Sequence, residues 1–276
     1  MNGRELREAL RAGRRIYGTL ISSTSPKWMT TIAGLDIDCV FIDTEHIPMD
    51  WHELGWMCHA FRGVGIAPIV RIPTPDPVEA GRVLDMGAWG IVAAYVETAE
   101  EVRLLRGAVK LRPLKGRKLR EILSGDAPMD DGMAEYIGRV NEQHVLLVNI
   151  ESVPALSALD EILAVPDLDG VLIGPHDLSC SLGVPEQYEH PLFEQAVGEI
   201  IAKARANNIG AGAHFLPSVE HEIKWGKAGL NLILHLSDIA LFRRALEEDL
   251  TRLRRGLGDD AGEPRGGDVP QGRHLE

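Results

Sequence analysis

Three cysteines in 276 residues, Cys39, Cys58 and Cys180, stand far apart with no CxxC pair among them. That spacing argues against a zinc knuckle or a disulfide framework and suits a reducing cytoplasm. No apolar run approaches the roughly 20 residues of a membrane span. The opening MNGRELREALRAGRR also lacks the apolar segment of a secretory signal, so the expectation is a soluble, cytoplasmic protein. Positive charge is scarce as well, with 29 Lys and Arg against 41 Asp and Glu and a net charge of −12. Nucleic acid and anionic membranes reward clustered positive charge and are disfavoured as partners. Small molecules and metal cations remain. Missing too are a G-x-G-x-x-G or GK[ST] phosphate loop, an HExxH zinc motif and a G-x-S-x-G nucleophile elbow, which removes the usual signatures of nucleotide, zinc-protease and serine-hydrolase chemistry.

What is present is repetition. Eight short apolar runs recur along the chain: IYGTLIS, CVFID, APIVRI, GIVAAYV, HVLLVNIE, GVLIGP, GAGAHF and LNLILHLS. Between most of them lie segments with apolar residues at helical spacing, such as DPVEAGRVLDMG, TAEEVRLLRGAVK, VPALSALDEILAV and PLFEQAVGEIIAKARAN. Continuously apolar runs suit parallel strands covered on both faces, and eight of them close naturally into an α/β fold of the (β/α)8 barrel type. The stretch from 97 to 143 is longer than one helix requires. It reads as an insertion between strands 4 and 5, holding the basic loop LRPLKGRKLREILSG and an extra helix near 132 to 141. One domain is expected over 1–255, with 256–276, rich in Gly, Asp and Pro, as a disordered tail.

In such a barrel the side chains at the C-terminal ends of the strands face the active site. Asp43, Glu45 and His46 follow the second run, Arg71 lies in the third, Glu151 ends the fifth and Asp177 follows the sixth. On one rim they would supply two carboxylates for a divalent cation, a histidine to move a proton and a guanidinium for an oxyanion. Each also has a structural role open to it. His46 suits a turn, Arg71 an ion pair, and Glu151 and Asp177 the first turn of a helix. Their coincidence at one end of successive strands favours the site. His176, His214 and His235 also stand near strand ends and read as pocket-lining or internally satisfied histidines.

The segments FIDTEHIPMD, PIVRIPTPDP, VLDMGAWGIVAAYVETAEEV, LLVNIESVPAL and DGVLIGPHDLS, in this order, resemble the HpcH/HpaI aldolase family over about residues 5 to 250. The resemblance implies a carbon–carbon lyase that cleaves a 4-hydroxy-2-oxo acid of the 2-keto-3-deoxy type to pyruvate and an aldehyde. It implies a divalent cation, Mg²⁺, Mn²⁺ or Co²⁺, as cofactor. By position, His46 would act as base through water with Asp43 orienting it, and Arg71 would neutralise the enolate oxygen. Glu151 and Asp177 would hold the cation, and the backbone around Gly174, Pro175 and His176 would meet the substrate carboxylate. Asp85 would reach a neighbouring subunit's site in a homo-oligomer, a hexamer or trimer of dimers. Asn149 and His176 depart from the residues usual beside the pyruvate site. Leu20 and His214 fall where the aldehyde portion would lie, which implies a preference for small or hydroxylated aldehydes over long diacids. The family's glycine-rich loop is here KGRKLREILSG, which keeps Arg117 and loses the glycine pattern. Decarboxylation of oxaloacetate, or decarboxylative chemistry of the macrophomate synthase kind, would use the same residues, and a barrel without catalysis is a further reading.

Overall fold

The computed structural model describes residues 1–259. Eight parallel strands close into a barrel in sequence order: β1 (Ile16–Leu20), β2 (Cys39–Asp43), β3 (Ala67–Ile72), β4 (Gly90–Ala93), β5 (Val145–Ile150), β6 (Gly170–Ile173), β7 (Gly210–His214) and β8 (Leu232–Ser237). Each expected run supplies one strand, and the fold is the (β/α)8 barrel. Helix α1 (Gly3–Ala12) precedes the barrel, and α2 (Pro26–Ile32), α3 (Trp51–Gly63), α4 (Pro77–Asp85) and α5 (Ala99–Lys110) follow the first four strands. Helices α6 (Gly116–Ser124) and α7 (Asp131–Val140) form the insertion before β5. Two short helices, α8 (Val153–Ser157) and α9 (Leu159–Leu163), stand where one was expected. Then come α10 (Pro175–Ser181), α11 (Pro191–Ala206), α12 (Val219–Ala228) and α13 (Asp238–Leu257). Helix α13 runs two residues past the expected domain end at 255, and residues 260–276 of the expected tail lie outside the described residues.

Side chains alternate along a strand, so each strand feeds two cores. One set, including Phe41, Ile69, Val92, Leu147, Leu172 and Leu232, fills the barrel interior together with Leu6, Ala9 and Leu10 of α1, which plugs the N-terminal mouth. The other set, including Val40, Ile42, Val70, Ile91, Val148 and Val171, packs against the surrounding helices. The plug needs glycine at the start of β7, because a Cβ on Gly210 would stand 2.5 Å from Leu10 Cδ2. Following the inward set toward the strand C-termini brings Leu20, Asp43, Arg71, Asn149 and His214 into the layer above this apolar filling. Two-residue periodicity alone sends these polar groups into the barrel mouth.

Reciprocal capping boxes start α1 (Asn2 with Glu5), α3 (Asp50 with Glu53) and α5 (Thr98 with Glu101), satisfying backbone donors that the first turn leaves free. The segment expected as a basic loop is instead α6. Its Leu119, Ile122 and Leu123 recur at helical spacing, and Leu119 and Leu123 rest against Gly107 of α5. Helix α13 is unusual in another way. Ile239, Phe242, Leu246, Leu250, Leu253 and Leu257 form one stripe along it and are 39–75% exposed. Outside β1 and β8, where a covering helix would lie, a groove of about 500 Å³ is lined in part by Tyr17, Val219, Ile223, Ile233 and His235.

At the far end of the barrel, His144 offers a test of the packing. Its Nδ1 lies 3.1 Å from Asn141 Oδ1 and 3.3 Å from Val109 O, two acceptors that require the proton on that nitrogen. Burial, reinforced by Arg112, lowers its pKa from 6.5 to about 4. As pH falls from 6.5 toward 4, the unfolded chain binds a proton there that the folded protein refuses, so stability declines, by up to about 3 kcal/mol for this group. Urea unfolding across this range should show a steeper acid loss in the unaltered protein than in His144→Gln, and parallel curves would contradict the assignment.

Candidate active site

Asp43 and Arg71 are direct partners in the β2–β3 register. The Arg71 guanidinium donates from Nε to Asp43 Oδ1 at 2.8 Å and from Nη2 to Asp43 Oδ2 at 2.7 Å. Both residues are at most 1% exposed. Burial opposes the charge on Arg71, but the hydrogen bonds and charge of Asp43, with Glu45 and Glu151, more than offset it and hold its pKa above the ordinary value. A two-pronged pair of this kind fixes the fork in one orientation and leaves Nη1 free of Asp43. Asp43 Oδ1 also accepts from the Glu45 amide at 3.0 Å.

The expected orientation of His46 by Asp43 is therefore not what the structure shows. Asp43 is committed to Arg71 because the strand register sets the two side by side. Beside His46 stands Glu45 instead, its Oε1 3.6 Å from Nε2. Glu45 also approaches Arg71, with Oε2 3.2 Å from Nε, yet that oxygen is buried and makes no hydrogen bond. Burial raises the Glu45 pKa; Arg71 and His46 oppose the rise and Asp43 adds to it.

Glu151 follows β5 and is 5% exposed. Its Oε1 accepts from the Tyr95 amide at 2.8 Å and its Oε2 from Asn149 Nδ2 at 2.7 Å. Burial, with the nearby charges of Asp177 and Glu45, pushes its pKa up to about 7 despite those two donors. Gly174 must be glycine here, since a Cβ would lie 2.5 Å from Glu151 Oε2. Asn149 Oδ1, buried beside this carboxylate, has no hydrogen-bond partner. Carboxylates that strain one another, next to buried acceptor oxygens without donors, form a place short of positive charge, and a divalent cation fits it. Among the described residues no three or more His, Cys, Asp or Glu side chains form a ready cage. A cation at Glu151 and Asp177 would thus take further ligands from water and substrate.

Leu20 and His214 are buried in the same layer, at 3% and 5% exposure. Pro175 and Asp177 lie in the first turn of α10, and His176 between them approaches Cys180, with Nε2 and Sγ 3.8 Å apart. Asp85 is not brought to this site. Helices return antiparallel to the strands, so the end of α4 lies at the opposite end of the barrel, where Asp85 pairs with Arg112. Arg117 is exposed and pairs with Glu121 within α6. His235 is held by Glu222 on the outside of β8. Tyr95 escaped the sequence reading as a site member, and Glu45, read on the rim, was given no role there. Tyr95 is the last residue but one of the GIVAAYV run, and its φ of +55° is a costly backbone state for a bulky residue, of a kind that gathers at functional sites.

The profile of the HpcH/HpaI aldolase/citrate lyase family matches residues 17–243. The chain is 33% identical over 259 residues to 2-keto-3-deoxy-L-rhamnonate aldolase of Escherichia coli strain K12, covering 91% of this chain and 93% of that one. Among solved structures, the HpcH/HpaI aldolase from Desulfitobacterium hafniense DCB-2 superposes with a TM-score of 0.77 at 25% identity, covering 90% of this chain and 96% of that one. Macrophomate synthase superposes with a TM-score of 0.77 at 26% identity, covering 95% and 92%. A mouth of the barrel that pairs a locked guanidinium with crowded carboxylates is thus found on the scaffold of a carbon–carbon lyase. The chain belongs to the HpcH/HpaI aldolase/citrate lyase family.

Removing one partner of a buried ion pair strands the other charge and costs about 3–5 kcal/mol. Asp43→Ala should lower the urea-unfolding free energy by roughly 3 kcal/mol. A loss below about 1 kcal/mol, the scale of an exposed pair, would show that Arg71 is not held as described.

Proposed function

We propose that this enzyme is a divalent-cation-dependent aldolase that splits a 4-hydroxy-2-oxo acid of the 2-keto-3-deoxy type into pyruvate and an aldehyde, reversibly. The observation that carries this reading is the locked Arg71 guanidinium, which feels the charge of Glu151, itself crowded by Asp177, with His46 against the neighbouring Glu45. Breaking the bond between C3 and C4 sends its electron pair into an enolate of pyruvate, while the C4 hydroxyl loses its proton and becomes the aldehyde carbonyl. Charge gathers on the keto oxygen, and a guanidinium that keeps its proton at working pH, already oriented, stabilises it there without reorganising. A cation held by Glu151 and Asp177, whether Mg²⁺, Mn²⁺ or Co²⁺, would supply Lewis-acid polarisation of the keto group. His46, on the rim at 29% side-chain exposure, takes the C4 hydroxyl proton in cleavage and returns it in synthesis. Glu45 stands beside it, with Oε1 3.6 Å from Nε2. Asn149 steadies Glu151, and backbone amides near Gly174 to Asp177 receive the substrate carboxylate.

The substrate class follows the relative's: a 2-keto-3-deoxy acid whose aldehyde half is short. A second reading, oxaloacetate decarboxylation with the resulting enolate captured or protonated, draws support from the likeness to macrophomate synthase. Incubation with oxaloacetate, with and without an aldehyde, separates the two by their products. For the aldolase, release of pyruvate from a 2-keto-3-deoxy sugar acid, read by a coupled dehydrogenase, should fall by about 10² or more on chelation and recover with added cation. Glu151→Ala should not recover. Full rate in the chelated protein would overturn the cation-dependent reading.

The same reading includes a cytoplasmic homo-oligomer, a hexamer or a trimer of dimers. Support comes from the exposed apolar stripe of α13 and the uncovered groove outside β1 and β8, which a second copy's helix would fill. Asp85, 63% exposed by side chain at the far end of the barrel, would then face a neighbouring copy. Phe242→Glu should shift light scattering toward a smaller species, and an unchanged mass would contradict the role of α13.

A further inference from the structure

Tyr95 stands in the turn after β4, between Ala94 and Val96, both at most 1% exposed, and is itself 54% exposed. Its φ of +55° is a state that glycine or asparagine adopts at far lower cost. Packing does not explain an aromatic residue there, since more than half of it faces solvent. Its polar groups do. The amide donates to Glu151 Oε1 at 2.8 Å, and the phenol hydroxyl, a donor at neutral pH, meets the Glu45 carboxylate. The charges of Asp177 and Glu151 reach the same hydroxyl. One residue thus touches both acidic arms of the rim. The first is Glu151, to which the cation is assigned above; the second is Glu45, whose Oε1 lies 3.6 Å from His46 Nε2 and whose Oε2 lies 3.2 Å from Arg71 Nε. A glycine at position 95 would relieve the backbone and keep the amide contact, losing the arm that reaches Glu45.

We propose that Tyr95 is a positioning residue for proton transfer: its hydroxyl fixes Glu45 and, through Glu45, the His46 imidazole that serves the C4 hydroxyl. This rests on the aldolase reading above. Arg71 already gives Nε and Nη2 to Asp43, so its attraction for Glu45 is a matter of charge and sets no angle. Glu45 Oε2, buried and without a hydrogen bond, shows the same lack of direction on that side. The phenol supplies the directional contact, and it is carried on a turn whose amide is anchored to Glu151. The proton-transfer arm and the cation arm are thereby held at one spacing by one residue. Misplacing a reacting group by about 1 Å costs up to about 10²-fold in rate, which gives such a contact a large effect on turnover and little on binding.

The test is Tyr95→Phe, which keeps the ring and the amide and removes one oxygen. The single-turnover rate of cleavage of a 2-keto-3-deoxy sugar acid at saturating substrate should fall by about 10-fold, while KM and the affinity of the chelated protein for Mn²⁺, read by its EPR signal, each hold within about 3-fold. A residue that merely supported the rim would move KM and cation affinity along with the rate. In a Glu45→Ala background the same change should cost less than about 2-fold, because the hydroxyl acts through Glu45. That background leaves Arg71 paired with Asp43, so no charge is stranded. A rate loss below about 2-fold in Tyr95→Phe, a loss carried by KM or cation affinity, or equal losses in the two backgrounds overturns the proposal. Glu45→Ala alone is an independent check: it should lose at least as much rate as Tyr95→Phe, and a smaller loss overturns the proposal as well. Exchange of the pyruvate methyl protons in the unaltered protein, measured alongside, keeps the two ideas apart. Without exchange the aldolase reading fails; with exchange and an unmoved rate in Tyr95→Phe, only the assignment of Tyr95 fails.

Discussion

The site is organised by one ion pair. Asp43 and Arg71 end neighbouring strands in direct register, buried, with two parallel hydrogen bonds between them. Neither charge could occupy that position alone, and together they leave a fixed donor facing the mouth of the barrel. Glu45 is drawn toward the same guanidinium, and its other oxygen lies against His46. The position of the proton-carrying imidazole is thereby linked to the residue that would meet the oxyanion.

Against this single well-placed cation stand more carboxylates than it can neutralise. Glu151 is bound by an amide and an asparagine and is still pushed to about 7. The crowding includes Asp177 and Glu45, and it leaves Asn149 Oδ1 and Glu45 Oε2 without donors. A shortage of positive charge built into a rigid rim is what a divalent cation relieves. The same rim carries backbone strain at Tyr95, Phe215 and Leu236, where φ is +55°, +52° and +47°. All three lie at or just beyond the C-terminal ends of strands, the end that carries the polar residues, and the barrel beneath them is rigid enough to hold such states.

Much of this was legible in the chain. The eight apolar runs became eight strands because parallel strands covered on both faces must be continuously apolar, a demand the sequence meets openly. Asp43, Arg71, Asn149 and His214 share the barrel mouth because they continue the inward alternation of their strands, which is equally a property of sequence. What was hidden is what register and packing decide. Asp43 and His46 are near in sequence, but the β2–β3 register gives Asp43 to Arg71 and leaves Glu45 beside His46. Tyr95 reaches Glu151 through its backbone amide and Glu45 through its side chain, contacts set by the turn after β4 rather than by any motif. Helix α6 lies in a basic segment with a lost glycine pattern, although Leu119, Ile122 and Leu123 carry the helical period.

The central claim is that this rim generates a pyruvate enolate. It is tested most directly by following the methyl protons of pyruvate by NMR in D₂O, using chelated protein with and without Mg²⁺, Mn²⁺ or Co²⁺. The account predicts deuterium exchange that requires the cation and disappears in Arg71→Ala. No exchange with any of the three cations, or exchange indifferent to Arg71, would contradict it.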